Sequence, residues 1–336
     1  IDSFGEFEEC TGITINWNGS QDFETQIQVR AEGGTAPELA IFPQPGLLAD
    51  MARTGYMVAA PQQVADSVDA NYTADWKNYG TVDATFYAAP MGANVKSFVW
   101  YSPKVFADNG WAIPTTWDEL LALSDEIAAS DFAGNAWCAG IESGAATGWA
   151  ATDWMEDLML RFQTAETYDA WVDNSMPFND PKVLEVLEAA GSILKNEDYV
   201  GNVSAIATTS FSEGGFGVVD GSCAMHRQAS FLGGILVGDA GATIVGPDAT
   251  DDICGKLVDL ASAHIADHFL PGSDPGLCVA AREPAIQPAF FDFAQRCTHA
   301  VVSQEAARTA ARHMHLSDHG GSGDGIIGAA AAVGLT

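Results

Sequence analysis

The chain is poor in positive charge: 14 Lys and Arg stand against 45 Asp and Glu in 336 residues, a formal net charge of −31 at pH 7. Such a surface repels phosphate backbones and anionic lipid headgroups, so nucleic acid is a poor partner. It lacks a run of about 18 apolar residues. The longest candidate, residues 325–335, is short and rich in Gly and Ala, and no helical membrane span is expected. None of the cysteines, Cys10, Cys138, Cys223, Cys254, Cys278 and Cys297, belongs to a CxxC pair, which disfavours a structural zinc cluster. Their even number suits disulfides in an oxidising compartment and equally suits buried thiols. The serine-hydrolase elbow GxSxG, the Walker phosphate loop and a GxGxxG after a strand are also missing, so enzyme readings lack an anchor.

A hydrophobic content of 47% can bury a sizeable core, and the length suggests two domains. The excess of acid over base suits a salt-rich or extracellular setting, and solubility in ordinary buffer accounts for it as well. The organising stretch is residues 39–55, LAIFPQPGLLADMARTG. Leu39, Ala40, Ile41 and Phe42 have the length and composition of a buried strand, and a helix follows from Gly46 to its stop at Gly55. Pro43 and Pro45 stiffen the turn between them, which would display Phe42 and Gln44 at a strand's carboxyl end, the edge where open α/β sheets bind ligands. An ordinary strand-to-helix connection fits the same residues.

Upstream, Ile1, Phe4 and Phe7 at helical spacing read as the last turns of a helix ended by Gly12, so the chain is expected to be entered in its middle. Ile13, Ile15 and Trp17 alternate as in a strand, and Phe23, Ile27 and Ala31 form the stripe of the next helix. This strand–helix–strand–helix order implies a parallel sheet with right-handed crossovers. Residues 94–101 read as a further strand leading into a helix at Ser102-Pro103. Thr116 and Glu119 make a capping box before a helix faced by Trp117, Leu120, Leu121, Ser124 and Ile127. Asp180-Pro181 opens another, with Val183, Leu187, Ala190 and Leu194 inward. Ile253, Leu257 and Leu260 suggest a helix, residues 277–280 a strand, residues 290–310 one or two helices, and residues 320–328 a surface loop or a frayed end.

Residues 142–157, ESGAATGWAATDWMED, combine Trp149 and Trp154 with Glu142, Asp153, Glu156 and Asp157. Aromatic faces stack on sugar C–H faces while carboxylates accept hydroxyl hydrogens. A helix N-terminus with acids in its first turn fits equally well. A carboxylate pair among these four would serve glycoside hydrolysis, but in so acidic a chain such pairs arise by chance. His264 and His268, spaced i,i+4, and the group His313, His315 and His319 lack a matching third metal ligand, and Asp248, Asp251 and Asp252 lack EF-hand spacing, so no metal site and no cofactor are expected. Asn71-Tyr72-Thr73 and Asn202-Val203-Ser204 match the short glycan acceptor pattern.

The segments FEECTGITINWNGSQDFETQIQVRAEGG, APELAIFPQPGLLADMARTGYMV, ANVKSFVWYSPKVF, PTTWDELLALSDEI, CAGIESGAATGWAATDWMEDLMLR, FNDPKVLEVLEAAGSILKN and AMHRQASF resemble extracellular solute-binding proteins of family 1, the sugar receptors of ABC importers, and within them the α-glucoside-binding group. The match runs from about Phe4 to Phe231. It implies an α/β, two-lobed periplasmic-binding-protein-like fold of class II, each lobe a mostly parallel sheet flanked by helices, with crossing strands as hinge near residues 92–96 and 229–233. Lobe one would hold residues 1–96 plus 231–300, lobe two residues 97–230 plus 301–336. The resemblance implies a non-enzymatic, monomeric receptor. It would bind an oligosaccharide of maltose, trehalose or sucrose type between its lobes and deliver it to ABC permease subunits, outside the cytoplasmic membrane and with room for a lipid anchor ahead of residue 1. Its ligand loops fall on Gln21, Asp22, Glu24, Phe42, Gln44 and Pro45 in lobe one. In lobe two they fall on Glu142, Ser143, Trp149, Asp153, Trp154, His226, Arg227 and Phe231, with Asn94 and Lys96 at the crossing. It also implies a Cys138–Cys223 disulfide tying two loops beside the site. Two departures stand out: the family's first strand and sugar loop precede residue 1, and residues 251–269 look helical where a sheet-forming segment is expected.

Overall fold

Gly12 closes the first helix, α1 (Gly5–Thr11), in the left-handed conformation at φ 70°, as its position at the end of the apolar stripe requires. The computed structural model describes residues 4–20 and 22–244, together with the backbone of Cys254–Leu257, Ile326–Ala329 and Val333–Leu335. These residues fall into two units. Residues 4–93 and Ile326–Ala329 belong to the first, and residues 94–244 with Cys254–Leu257 to the second.

In the first unit α2 (Phe23–Glu32) buries Ile27 and Ala31, and β1 (Leu39–Ile41) leads through Pro43 into α3 (Pro45–Arg53). Gln44 caps α3: its side-chain Oε1 accepts from the Leu47 backbone N–H at 3.2 Å, and Pro45 takes the first helical position, where no N–H is needed. After β2 (Met57–Val58) come α4 (Gln62–Asn71), α5 (Ala74–Tyr79) and a hairpin of β3 (Thr81–Val82) and β4 (Thr85–Phe86). Ile326–Ala329 lies between β1 and β2, parallel to both. The expected surface loop at residues 320–328 is thus a strand over its last part. A β1–α3–β2 crossover leaves room for one strand, which a distant segment fills. Residues 13–17 form no strand, since alternation without a neighbouring ladder does not hold the backbone extended, and Trp17 is half-exposed.

The second unit begins within β5 (Ala93–Val95) and continues with β6 (Phe98–Tyr101); sequence read residues 94–101 as one strand. The break is Ser97, at φ +71°. There follow α6 (Pro103–Asn109), α7 (Trp117–Ala129), β7 (Asn135–Cys138), α8 (Trp149–Phe162), α9 (Ala165–Val172) and α10 (Pro181–Leu194). Two one-turn helices, α11 (Glu197–Val200) and α12 (Gly217–Asp220), precede β8 (Cys223–Gln228), α13 (Leu232–Asp239) and β9 (Cys254–Leu257). The α7 capping box is skewed by one residue. Thr116 Oγ1 accepts from Glu119 N–H, but Glu119 Oε2 accepts from the N–H of Thr115. The inward face of α10 is Val183, Val186, Ala190 and Ile193; Leu187, expected inside, is 41% exposed because the buried stripe steps from 183 to 186 and on to 190, leaving position 187 at its edge.

The sheet order is β7-β8-β6-β9. Only β7 and β8 run parallel; β6 is antiparallel to both neighbours, so the mostly parallel sheet expected of each lobe is mixed in this one. β8 is buried along its whole length. One side of the sheet meets a core of Val99, Trp137, Leu158, Met159, Val186 and Ile193, and the other a smaller core of Phe98, Trp100, Leu232 and Leu236. The expected division of the chain is shifted accordingly. Residues 232–239 and 254–257 pack with β6 in the second unit rather than the first, and residues 326–329 join the first rather than the second. Cys254–Leu257 is extended where a helix was expected, its backbone satisfied by β6. Residues 277–280 and 290–310 lie outside the described residues, as do Gln21, Asp248, Asp251, Asp252 and all histidines except His226.

Candidate functional site

The second unit concentrates charge and aromatic surface where β6, β8 and the first turns of α8 meet. Gly148, at φ +108°, turns the chain into α8 so that Trp149 leads the helix, half-buried. Around Trp149 stand Phe211, with ring centroids 5.0 Å apart and planes at 65°, and Phe231 at 6.0 Å; the last two are 6.2 Å from each other. The Lys96 ammonium lies 5.2 Å from the Trp149 ring and pairs with both Asp153 oxygens at 3.0 and 2.8 Å. Aromatic and ionic contacts of this kind strengthen each other where water is scarce.

Beneath this pair lies Arg227, only 6% exposed. Its Nη2 donates to Asp153 O at 2.7 Å and to Ser97 Oγ at 3.1 Å, its Nε donates to Asp157 Oδ2 at 3.2 Å, and its guanidinium stacks 4.9 Å from Trp154. Asp157 also accepts from Arg161 at 2.7 Å. One helical turn from Asp153, Glu156 has its carboxyl pushed up to about 7, first by burial and then by the Asp153 charge, with Lys96 and Arg227 pulling the other way. Near neutrality the network therefore holds one carboxyl that is easily neutral among paired charges.

Of the residues the resemblance named in this unit, Lys96, Trp149, Asp153, Arg227 and Phe231 come together. Trp154 does not share the aromatic surface: it is 6% exposed, edge-on to Trp137 at 5.5 Å, and serves the core and Arg227. His226 lies on the other face of β8, because successive strand residues point to opposite sides. It is 2% exposed, donates from Nδ1 to Cys138 O at 3.0 Å and leaves Nε2 without a partner; burial holds it down at about 4. Glu142 Oε1 accepts from Gly144 N–H, and buried Ser143 is fixed by its N–H to Thr147 Oγ1. Asn94 stands half-buried in β5.

In the first unit the picture differs from expectation. Phe42 is fully buried, edge-on to Phe23 at 5.8 Å, not displayed; an apolar ring gains more in that core than at a strand end. Gln44 is exposed but committed to capping α3. Asp22, at the N-terminus of α2, is exposed, while Glu24 and Pro45 are half-buried.

Sequence reasoning missed Phe211, Ser97 and the Arg227–Asp157 pair. Phe211 reaches Trp149 because the backbone bridge of Glu142 to Ser210 runs past Gly140 and Gly214. A Cβ on Gly140 would come within 2.7 Å of Ser210 O, and one on Gly214 within 2.9 Å of Gly140 N. The Gly-Gly dipeptide after Phe211 was the only signal. Cys138 and Cys223 are disulfide-bonded, Cα to Cα 5.6 Å, across the parallel pair β7 and β8, with Gly217 against their sulfurs. No group of three or more His, Cys, Asp or Glu is arranged to hold a metal ion among the described residues, and no helix among them is long and apolar enough to cross a membrane.

The osmoprotective compounds-binding protein GgtB of Synechocystis sp. is 41% identical over 242 residues, 69% of this chain and 56% of that protein. The alpha-glucosides-binding periplasmic protein AglE of Rhizobium meliloti is 41% identical over 239 residues, 68% of this chain and 52% of that one. The chain thus spans about half the length of these relatives. Among solved structures, a solute-binding protein of an ABC transporter from Thermotoga lettingae, bound with alpha-D-tagatose, superposes with a TM-score of 0.58 at 16% identity, over 76% of this chain and 63% of its own. A chitin oligosaccharide binding protein does so with 0.57 at 20%, over 76% and 61%. These likenesses establish the two-lobed α/β fold of periplasmic binding proteins. Residues 2–257 match the family model of bacterial extracellular solute-binding proteins, and the chain belongs to that family.

Proposed function

We propose that the protein is the receptor of an ABC-type carbohydrate importer that captures an α-glucoside or similar oligosaccharide, closes its two lobes on it and hands it to a membrane permease outside the cytoplasmic membrane. The observation that carries this is the ring group of Trp149, Phe211 and Phe231 beside the Lys96–Asp153 pair. A sugar presents an apolar C–H face bordered by hydroxyls, and this surface offers a stacking plane bordered by donor and acceptor groups. The α-glucoside class is supported by what the Rhizobium relative's name says it binds; the Synechocystis relative's name makes an osmoprotective compound the second candidate solute. Contacts from both lobes would favour the closed state in proportion to their difference between open and closed forms.

A carbohydrate-active enzyme using Glu142, Asp153, Glu156 or Asp157 is less well supported. Asp153 is neutralised by Lys96, Asp157 is shared by two arginines, and Glu142 is tied to its own loop. The test is calorimetry and thermal shift against maltose, trehalose and sucrose, with chromatography of the recovered sugar. Saturable binding with intact sugar supports the receptor; release of monosaccharide supports the enzyme. Trp149→Ala should weaken binding by about 1 kcal/mol or more through lost stacking, and wild-type affinity in that variant refutes the site.

A further inference from the structure

Residues 93–101 would form one strand but for Ser97. In an unbroken strand Lys96 would share a face with Phe98, since side chains alternate. Phe98 points into the small core with Trp100 and Leu232, away from α8. Val99 and Arg227 are register partners and face α8 together. Yet the Lys96 ammonium is bonded to Asp153 of α8 and sits over Trp149, on the side opposite to the one alternation assigns. The left-handed backbone at Ser97, φ +71°, makes that reversal. The other described non-glycine residues with positive φ, Asp83, Ala84 and Asn174, occupy a hairpin turn and the segment after a helix; Ser97 alone interrupts a strand. A residue without a glycine's freedom holds such a conformation only when its surroundings impose it.

We propose that Ser97 is the positioning residue of the ligand site, fastened by Arg227 so that the kink delivers Lys96 to Trp149 and Asp153. The fastening is specific. Arg227 Nη2 donates both to Ser97 Oγ, 3.1 Å, and to Asp153 O, 2.7 Å, so one buried guanidinium sets the positions of both partners of the Lys96–Asp153 pair. Arg227 is itself immobilised by Asp157 and Trp154. Lys96 thereby joins Phe211 and Phe231 around the Trp149 ring, and the kink is what brings its charge to the stacking plane. Trp149 as a sugar-stacking plane rests on the receptor reading above; the placement of Lys96 does not.

The test compares Ser97→Gly, which accepts positive φ but has no hydroxyl, with Ser97→Asn, which tolerates the conformation and carries an acceptor oxygen for Arg227. Acetylation of Lys96 by an activated ester, followed by peptide mass spectrometry, needs no sugar. Its rate should rise about tenfold in Ser97→Gly, the equivalent of one charge-assisted hydrogen bond, and return towards wild type in Ser97→Asn. Exposed Lys104 is the internal control. Sugar affinity should fall by about tenfold in Ser97→Gly at a Tm close to wild type, because glycine's ease at positive φ offsets the lost hydrogen bond in folding while preorganisation of Lys96 is lost. Unchanged Lys96 reactivity in Ser97→Gly overturns the proposal, and so does an affinity loss that merely tracks Tm. If wild-type protein takes no sugar, the receptor reading falls while the acetylation rates still decide the role of Ser97.

Discussion

Truncating Phe42 separates a ligand contact from a core residue. The ring is fully buried against Phe23, among Leu47, Leu48 and Met51 of α3. Phe42→Ala removes its transfer free energy, leaves a cavity and loses an edge-on aromatic pair, together about 3–5 kcal/mol. That is a large share of the 5–15 kcal/mol that holds a typical domain folded. The first unit contributes only Trp17 and Trp76 to the protein's nine tryptophans, so fluorescence reports mainly on the second unit. Hydrogen exchange read by mass spectrometry resolves the two. Amides of α3 should exchange at least about a hundredfold faster in the variant, at roughly 1.4 kcal/mol per factor of ten, while those of α10 should be unchanged. Sugar affinity, measured where the variant is still folded, should stay within about twofold of wild type, a change worth only ~0.4 kcal/mol. Unchanged α3 protection together with lost affinity would show that Phe42 meets the ligand after all.

The pH dependence has two opposed sources. His226 is held at about 4 in the fold against an unfolded 6.5, so it contributes stability that is complete above pH 6.5 and lost as pH falls towards 4, up to ~3 kcal/mol. Glu156, raised from 4.5 to about 7, favours the fold below pH 4.5 and loses that contribution as pH rises through 7, by less because its helix face is partly open to solvent. Between pH 6.5 and 4, denaturant titrations should therefore show an acid destabilisation that is smaller in His226→Asn than in wild type; an unaltered slope contradicts the assignment. Ala84 adopts φ +64° in the two-residue turn between β3 and β4, beside Asp83 at φ 49°. Ala84→Gly should stabilise the protein by about 0.5–1 kcal/mol, read as a rise in urea midpoint at unchanged m, and a fall would show that the turn is not strained. Net charge −31 implies self-repulsion, so raising NaCl from about 0.05 to 1 M, which shortens the screening length from roughly 14 to 3 Å, should raise Tm; a flat Tm would mean the acids are already compensated.

What could be read in advance was local. Pro45, Thr116 and Pro181 start helices where turn and cap chemistry put them, and Gly12 and Gly55 stop them, because these signals depend on neighbours in sequence. Phe42 misled because a strand-end position says which edge a residue is near but not whether its ring turns inward. Trp154 misled because a carboxylate-rich helix carries aromatic residues towards the core as readily as towards solvent. The kink at Ser97 left no trace in a strand-like pattern, and Phe211 joined the site through a backbone approach that glycines permit but do not specify. The placement of Ile326–Ala329 between β1 and β2 is a tertiary choice that no window of sequence contains.

That placement has a temporal consequence. The elements from β6 to β9 follow one another along the chain and can assemble as soon as they emerge, whereas the first unit, although its β1 and β2 emerge earlier, cannot close its parallel sheet until residues 326–329 are delivered. Until then β1 and β2 each present a bare hydrogen-bonding edge, the kind of surface that chaperones shield and that pairs with strangers. The strand that completes this sheet thus follows β6 to β9 of the other unit in the chain.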